Sequence, residues 1–311
     1  MYGPIAILCS GQGTQHPGMF DLVAQAPEAQ GVLEAACAVL EGKDPRQFIR
    51  EADPATLYSN RVGQILCCTQ TLAAWAMVNP HLAGPVVIAG YSVGELAAWG
   101  CAGLLGQEEV LRLAVVRAEA MDAAGSDRTG LAAVRGLTRA RLELICRPRE
   151  VYVAIVNGED LFVVGGARGA LKTVCDEALK AGALRASTLQ VAVAAHTPLL
   201  AEASRQFGLA FARENLRRPI ARGIRLLTGI DGEVAFDLQE AAGKLADQIS
   251  RTVNWAACLD GCRAAGAQTV LELGPGRALA NMAREVLTDA HVRSVEDFRT
   301  RDGVLAWLER S

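Results

Sequence analysis

Gly90-Tyr91-Ser92-Val93-Gly94 sets a serine between two glycines, after the apolar run Val86-Val87-Ile88-Ala89 and before Glu95-Leu96-Ala97-Ala98-Trp99. G-x-S-x-G at a strand-to-helix turn is the pattern of a nucleophile elbow. At such a corner the backbone passes close to itself, so small flanking residues leave room while Ser92 is held strained with its Oγ exposed. The following helix points its N-terminus at the same spot, and its free N–H groups face the place where an oxyanion would form. The plainer reading is a serine capping a helix in a tight βα turn. The strand before it and the helix after it favour the nucleophile.

A serine hydroxyl needs a base at neutral pH. The chain has four histidines. His16 and His81 precede the serine in loop-like sequence, and His291 opens a late strand after Asp289-Ala290. His196, in Val193-Ala194-Ala195-His196-Thr197-Pro198, stands where a strand leads into a helix, with Thr197 as cap and Pro198 in its first turn. His196 is therefore the candidate base and His291 the reserve. A metal centre has little support. Cys258 and Cys262, at i and i+4 on a helix with no histidine near, read as packing residues.

These groups need elements to hold them. Ile5 to Cys9 and Val86 to Ala89 read as parallel strands covered on both faces. Gln64 to Val78, Gly94 to Leu104 and Gln107 to Ala123 carry helical spacing, with Pro80 stopping the first and Gly125 the last. The grammar then changes. Leu131 to Leu137 (strand), Thr138 to Arg147 (helix, Thr138 as N-cap), Val151 to Val156 and Leu161 to Gly165 (strands), Ala167 to Lys180 (helix) and Leu184 to Val191 (strand) make a βαββαβ ferredoxin-like unit. The α/β pattern returns in a helix from Pro198, a strand Ile224 to Thr228, helices Leu238 to Ile249 and Trp255 to Ala265, and a strand Thr269 to Leu273 before a Gly-Pro-Gly turn. The expected fold is α/β: a hydrolase-like parallel-sheet large domain, residues 1–127 and 194–311, with an inserted small domain at 128–193.

Composition sets the outer limits. At 311 residues the chain is long enough for such a pair of domains without metal or disulfide support. With 31 basic against 34 acidic residues, the net charge of -3 provides no field that would gather nucleic acid or an acidic membrane surface. Nine cysteines, scattered and mostly in apolar contexts, read as reduced, buried thiols. Met1 to Leu8 lacks the basic region of a signal peptide, which points to the cytoplasm. Val62 to Gly94 contains no Asp, Glu, Lys or Arg, yet polar and proline interruptions keep it short of the roughly 18 apolar residues of a membrane span. It reads as a buried helix, a turn and a buried strand.

Taken together, the motifs resemble a known family. Gly11-Gln12-Gly13-Thr14-Gln15, Gly90-Tyr91-Ser92-Val93-Gly94-Glu95, Arg117, Asn157, His196, Gln248 seven residues before Trp255, and Leu271-Glu272-Leu273-Gly274-Pro275-Gly276 are similar in order and spacing to the malonyl-CoA:acyl carrier protein transacylases. The resemblance implies malonyl-CoA as donor, a carrier-protein thiol as acceptor, no bound cofactor and a ping-pong reaction through a malonyl ester on Ser92. It implies His196 as base and then acid, and the N–H groups of Gln12 and Val93 as oxyanion hole. The backbone carbonyl of Gln248 would orient the imidazole, Arg117 would hold the free carboxylate, and Asn157 would contact substrate. A guanidinium takes a carboxylate through two parallel charge-assisted bonds, which gives Arg117 its chemical sense. Read without the family, Arg117 is a solvated arginine beside Arg112 and Glu119.

Two departures alter the subfamily. Tyr91 stands where fatty-acid-synthesis members have His, and Cys9-Ser10 where they have Phe-Pro. The Gly-Tyr-Ser turn and Leu8-Cys9-Ser10-Gly11-Gln12-Gly13 resemble the epsilon (transacylase) subunit of bacterial malonate decarboxylase. That implies a recipient carrier subunit bearing a dephospho-CoA-type arm, the fatty-acid or polyketide carrier being the alternative. Arg185, Arg213, Arg217 and Arg218 are candidate contacts to an acidic carrier. Outside the family, the rivals are a serine hydrolase using late His291 and a non-catalytic carrier-docking subunit.

Overall fold

The structure is a computed structural model and describes residues 3–125, 128–189, 191, 193–217 and 223–310. Five parallel strands form the first sheet: β1 (Ile5–Cys9), β2 (Val86–Gly90), β7 (Ile224–Leu226), β9 (Thr269–Leu273) and β10 (His291–Ser294), in the order β10-β9-β1-β2-β7. Every residue of β1, β2 and β9 is buried, as expected of central parallel strands with helices on both faces. The register aligns Ile5 with Val86 and Thr269 at one end, and Cys9 with Gly90 and Leu273 at the other. Ser92 therefore leaves the carboxyl edge of the sheet, the edge where open α/β sheets bind ligands.

The charge-free stretch is a buried helix, Asn60–Val78, a turn and then β2. That helix packs on the helices Gln30–Val39, Val93–Cys101 and Gln107–Ala124, which leaves it almost no solvent-facing side. Its polar residues Gln64, Thr69, Gln70 and Thr71 are consequently buried too.

The second sheet contains β3 (Thr129–Arg135), β4 (Tyr152–Val156), β5 (Leu161–Ala167), β6 (Arg185–Thr188) and β8 (Val253–Asn254), ordered β6-β3-β5-β4-β8. Helices Arg139–Cys146 and Arg168–Lys180 complete the βαββαβ unit, and the β3, β4, β5 and β6 pairings are antiparallel. Thr138 caps its helix by accepting from the Arg141 N–H. β3 stops at Arg135, two residues short of the expected end, because Gly136 turns the chain at φ +96°. β6 is shorter than the expected strand to Val191. Leu189 N still donates to Leu131 O at 2.8 Å, and Gln190 lies outside the described residues. The unexpected strand is β8, which comes from sequence beyond the small unit and pairs in parallel with β4 through Ile155 and Val156.

One capping expectation is corrected. Thr197 makes no cap bond; its hydroxyl donates to Ala194 O at 2.7 Å, pinning the chain just before His196. Pro198 opens a 3-10 turn, and the helix proper is Ala201–Phe211. Among the described residues no helix is long and apolar enough to cross a membrane. All nine cysteines are free, and eight are buried, including Cys258 and Cys262 in the core beside Trp255.

Candidate active site

The elbow is as tight as its glycines suggest. A Cβ on Gly90 would lie 2.2 Å from Glu95 Cα, and one on Gly94 would lie 2.1 Å from Cys9 O. No side chain fits at either place. Between them Ser92 takes φ +56° and ψ -122°, a conformation that suits glycine and costs a serine about 1–3 kcal/mol. Only four described non-glycine residues have positive φ, and His196, at +62°, is another of them. The two strained residues face each other: His196 Nε2 lies 2.8 Å from Ser92 Oγ. On the far side of the ring, Nδ1 bonds to the main-chain oxygen of Gln248, the C-cap of helix Leu238–Asp247. That bond places the proton on Nδ1 and leaves Nε2 free to accept from the serine.

Electrostatics keep the imidazole neutral. Burial, followed by the positive charge of Arg117, pulls the His196 pKa down to about 3, against a smaller opposing effect of the Gln248 carbonyl. His196 is 1% exposed. His291, the reserve base, is ruled out by position. It opens β10 opposite Thr269, at the amino edge of the sheet, and is exposed. His16 faces Glu296 instead.

Arg117 is not the solvated arginine of an amphipathic helix. Its helix presents Arg112 to solvent, where it pairs with Glu214, but Arg117 itself is 1% exposed. Its Nη1 donates to Gln64 Oε1 at 2.8 Å and its Nη2 to Gln248 Oε1 at 3.3 Å, with Met121 Sδ 3.3 Å from Nη1. Among the described residues no carboxylate pairs with it directly. Burial lowers its pKa to about 10, so it is charged at neutral pH. Its hydrogen-bond partners are thus all neutral, an uncommon state for a buried guanidinium.

Gln12 joins the same polar assembly. Its Nε2 donates to Asn60 Oδ1 at 3.3 Å, and that oxygen also accepts from Gln64 Nε2 at 2.8 Å. Neighbouring Gly11 lies so close to the elbow that a Cβ there would be 3.5 Å from Ser92 Cβ, so the Gln12 loop and the N-terminus of the Val93–Cys101 helix converge on the serine. Val93 is the first residue of that helix, and its N–H has no intrahelical acceptor.

Asn157 sits apart from this group. It follows β4 and lies against the Tyr91 phenol, whose pKa burial pushes up to about 12. Tyr91 also meets Trp255 edge-on, with ring centroids 5.4 Å apart. The Asn157 Oδ1 is buried without a partner among the described residues.

Sequence reasoning missed four participants: the Gln248 side chain, Gln64, Asn60 and Glu95. Gln248 Nε2 donates to Ser92 O at 2.9 Å and to Glu95 Oε2 at 3.0 Å. Glu95 is 1% exposed, and burial raises its pKa to about 7. One signal was available, since Glu95 is the first Asp, Glu, Lys or Arg after Arg61. A cavity of about 360 Å³, whose lining includes Arg139, Glu143, Tyr152, Ile230 and Arg251, reaches Pro198, two residues past His196. Of the basic residues expected at a carrier surface, Arg185 and Arg213 are exposed, Arg217 pairs with Glu109, and Arg218 lies outside the described residues.

A parallel α/β sheet with a serine–histidine pair at its carboxyl edge, joined to a ferredoxin-like sheet, is the architecture of an acyl-group-moving enzyme. The chain belongs to the acyl transferase domain family, which matches residues 7–299, and it is an acyltransferase. It is 26% identical over 312 residues to the malonyl CoA-acyl carrier protein transacylase of Haemophilus influenzae, covering 97% of this chain and 98% of that one. The protein of the same name from Mycobacterium bovis is 29% identical over 296 residues, covering 94% and 96%. Among solved structures, the acyl-carrier-protein S-malonyltransferase of Burkholderia pseudomallei superposes with a TM-score of 0.89 at 27% identity, over 97% of this chain and 99% of that one.

Proposed function

We propose that the protein moves a malonyl group from malonyl-CoA to the thiol of an acyl carrier protein through an ester on Ser92. The observation that carries this reading is Arg117: a buried, charged guanidinium with only neutral acceptors, beside a serine–histidine pair. A donor with a free carboxylate satisfies it, whereas an acetyl group leaves it unfilled.

In this reading His196 Nε2 takes the Ser92 proton as Oγ attacks the thioester carbon. The tetrahedral oxyanion is held by the N–H groups of Gln12 and Val93, the C–S bond breaks, and His196 returns the proton to the departing CoA sulfur. The carrier thiol then attacks the ester by the same steps in reverse. Gln248 O holds the imidazolium between transfers, so no carboxylate need stand behind the ring. Donor and carrier arms would enter between a large unit of residues 1–127 and 194–311 and a small unit of 128–193, with Asn157 on the small-unit side. No resident cofactor is required.

An acyl carrier protein is the better-supported recipient, since the similar proteins carry malonyl transfer to an acyl carrier protein in their names. The malonate decarboxylase carrier is a second reading that rests on two departures alone. Tyr91 packs on Trp255, and Ser10 Oγ donates to Glu272 Oε1 at 2.8 Å.

Intact mass spectrometry after mixing with malonyl-CoA or acetyl-CoA tests the first half-reaction, and transfer to each type of carrier tests the second. A Ser92-dependent malonyl adduct is expected, and its absence overturns the reading. Arg117→Lys keeps the charge but loses the planar fork, so it should cut discrimination between malonyl and acetyl donors by about tenfold or more.

A further inference from the structure

We propose that Glu95 is a positioning residue that fixes the orientation of the Gln248 amide and, through it, the Arg117 guanidinium that receives the donor carboxylate. The inference rests on the malonyl-transfer reading above and adds a residue to it.

Gln248 is engaged at every polar atom that faces the site. Its main-chain oxygen holds His196 Nδ1, its Nε2 faces Ser92 O and Glu95 Oε2, and its Oε1 faces Arg117 Nη2. The two ends of an amide have nearly the same shape and differ in which one donates. Turned over, Gln248 would set its oxygen against the oxygens of Ser92 and Glu95 and its NH₂ against the N–H groups of Arg117. The Glu95 carboxylate is one of the two acceptors that forbid this.

Glu95 is itself closely confined. A Cβ on Gly229 would lie 2.5 Å from Oε2, and the nearby Gly229 main chain opposes the rise that burial imposes on the carboxyl pKa. Arg117, Asp231 and the Cys258 thiol are the other titratable groups that act on it. Its Oε1 is buried with no partner among the described residues. Packing alone would be served better by a leucine. The carboxylate is accounted for by the amide it orients.

Without an acceptor at residue 95, the Gln248 amide keeps only Ser92 O, and Arg117 is left with Gln64 Oε1 and Met121 Sδ as its fixed partners. The imidazole is not released, because the main-chain carbonyl of Gln248 holds it. The consequence is a selective one: the malonyl donor, which needs Arg117, suffers, and a donor without a carboxylate does not suffer in proportion.

The experiment measures KM and kcat for malonyl-CoA and the malonyl-to-acetyl loading ratio in the wild-type protein, Glu95→Leu, Glu95→Gln, Gln248→Ala and the Glu95→Leu/Gln248→Ala double variant. Glu95→Leu should raise KM for malonyl-CoA about tenfold with a change in kcat of about threefold or less, and lower the loading ratio about tenfold. Glu95→Gln should restore the ratio to within about threefold of wild type. Its Oε1 can still accept from Gln248 Nε2 while its NH₂ occupies the partnerless position. Gln248→Ala retains the carbonyl for His196 and should lower the ratio as Glu95→Leu does, and the double variant should be no worse than Gln248→Ala alone. An unchanged ratio in Glu95→Leu, equal loss for both donors, or additive effects in the double variant overturns the proposal. Should Glu95→Leu fail to fold, an unchanged ratio in Gln248→Ala overturns it and a lowered one supports it. If the wild-type protein forms no malonyl adduct, it is the parent reading that fails.

Discussion

Two corners of the same sheet are built alike and serve different ends. After β2 and after β9 the chain runs from a buried strand through a glycine-containing turn into a helix, and each corner carries a buried glutamate whose pKa burial raises to about 7. At the β9 corner the positive φ falls on a glycine, Gly276 at +86°. Glu272 there is fully partnered: Oε1 takes Ser10 Oγ at 2.8 Å and Leu279 N at 3.2 Å, and Oε2 takes Ala280 N at 2.8 Å. It caps the helix Ala278–Val286, and nothing in the corner is strained that glycine could relieve. At the β2 corner the positive φ falls on Ser92, and one oxygen of Glu95 is left bare. Strain and incomplete satisfaction, more than the strand–turn–helix pattern, separate the corner proposed to carry the chemistry from the structural one.

The sharpest way to break this comparison is to exchange what stands at the two turns. Ser92→Ala and Ser92→Gly should both reduce acyl loading by at least about 10³-fold, read as loss of the malonyl adduct. They should differ in stability. Both lose Oγ, but only glycine relaxes at φ +56°, so Ser92→Gly should unfold at higher denaturant than Ser92→Ala by about 1 kcal/mol. Gly276→Ala runs the exchange in reverse. Its Cβ would lie 2.8 Å from Thr14 Cβ at φ +86°, so it should destabilise by about 1–3 kcal/mol in chemical denaturation. Equal stability of the two Ser92 variants would show that the elbow stores no strain.

A smaller contrast sets the two glutamates against each other. Glu272→Gln replaces one oxygen with a donor where every nearby group already donates, so it should cost about 1–3 kcal/mol while leaving loading per folded molecule unchanged. Glu95→Gln has the partnerless position to receive its NH₂ and should cost less than Glu272→Gln does. Matched denaturation curves for the two variants would contradict the distinction.

What could be read from the sequence divides along a physical line. Ser92 was legible because an elbow constrains its flanks, and β1, β2 and β9 because buried parallel strands are continuously apolar. The pairing of His196 with Ser92 followed because a hydroxyl needs a base and few histidines exist. Arg117 required the resemblance, since an arginine on a helix has no local mark of burial. The Gln12–Asn60–Gln64–Arg117–Gln248–Glu95 assembly was not legible: it joins polar residues from five segments, and hydrogen bonds across a fold leave no periodicity. β8 escaped for a similar reason, as two residues that become a strand only beside β4 carry no pattern of their own. Thr197 misled because Thr-Pro before a helix resembles a cap, whereas its hydroxyl fastens the His196 turn.

The least conspicuous effect should be a rate that does not change. A histidine with the ordinary pKa of about 6.5 would be largely protonated one unit lower, and its reaction would slow about tenfold there. In the proposed reaction His196 serves as base only when neutral, and its pKa in the free protein is lowered to about 3, first by burial and then by Arg117. The acid limb of kcat/KM for malonyl loading, which follows the free enzyme, should therefore lie well below pH 6.5, with a change of about twofold or less between pH 7 and 5.5. Glu95 titrates within that window, at about 7, but its protonated form keeps an oxygen that can accept from Gln248. Bound substrate alters the balance. Its carboxylate offsets the Arg117 charge that disfavours the imidazolium, so the acid limb of kcat should lie above that of kcat/KM. Stopped-flow loading across pH 5–8 reads both limbs. A common limb near pH 6.5 would place His196 in water rather than in the buried, cation-flanked corner that distinguishes β2 from β9.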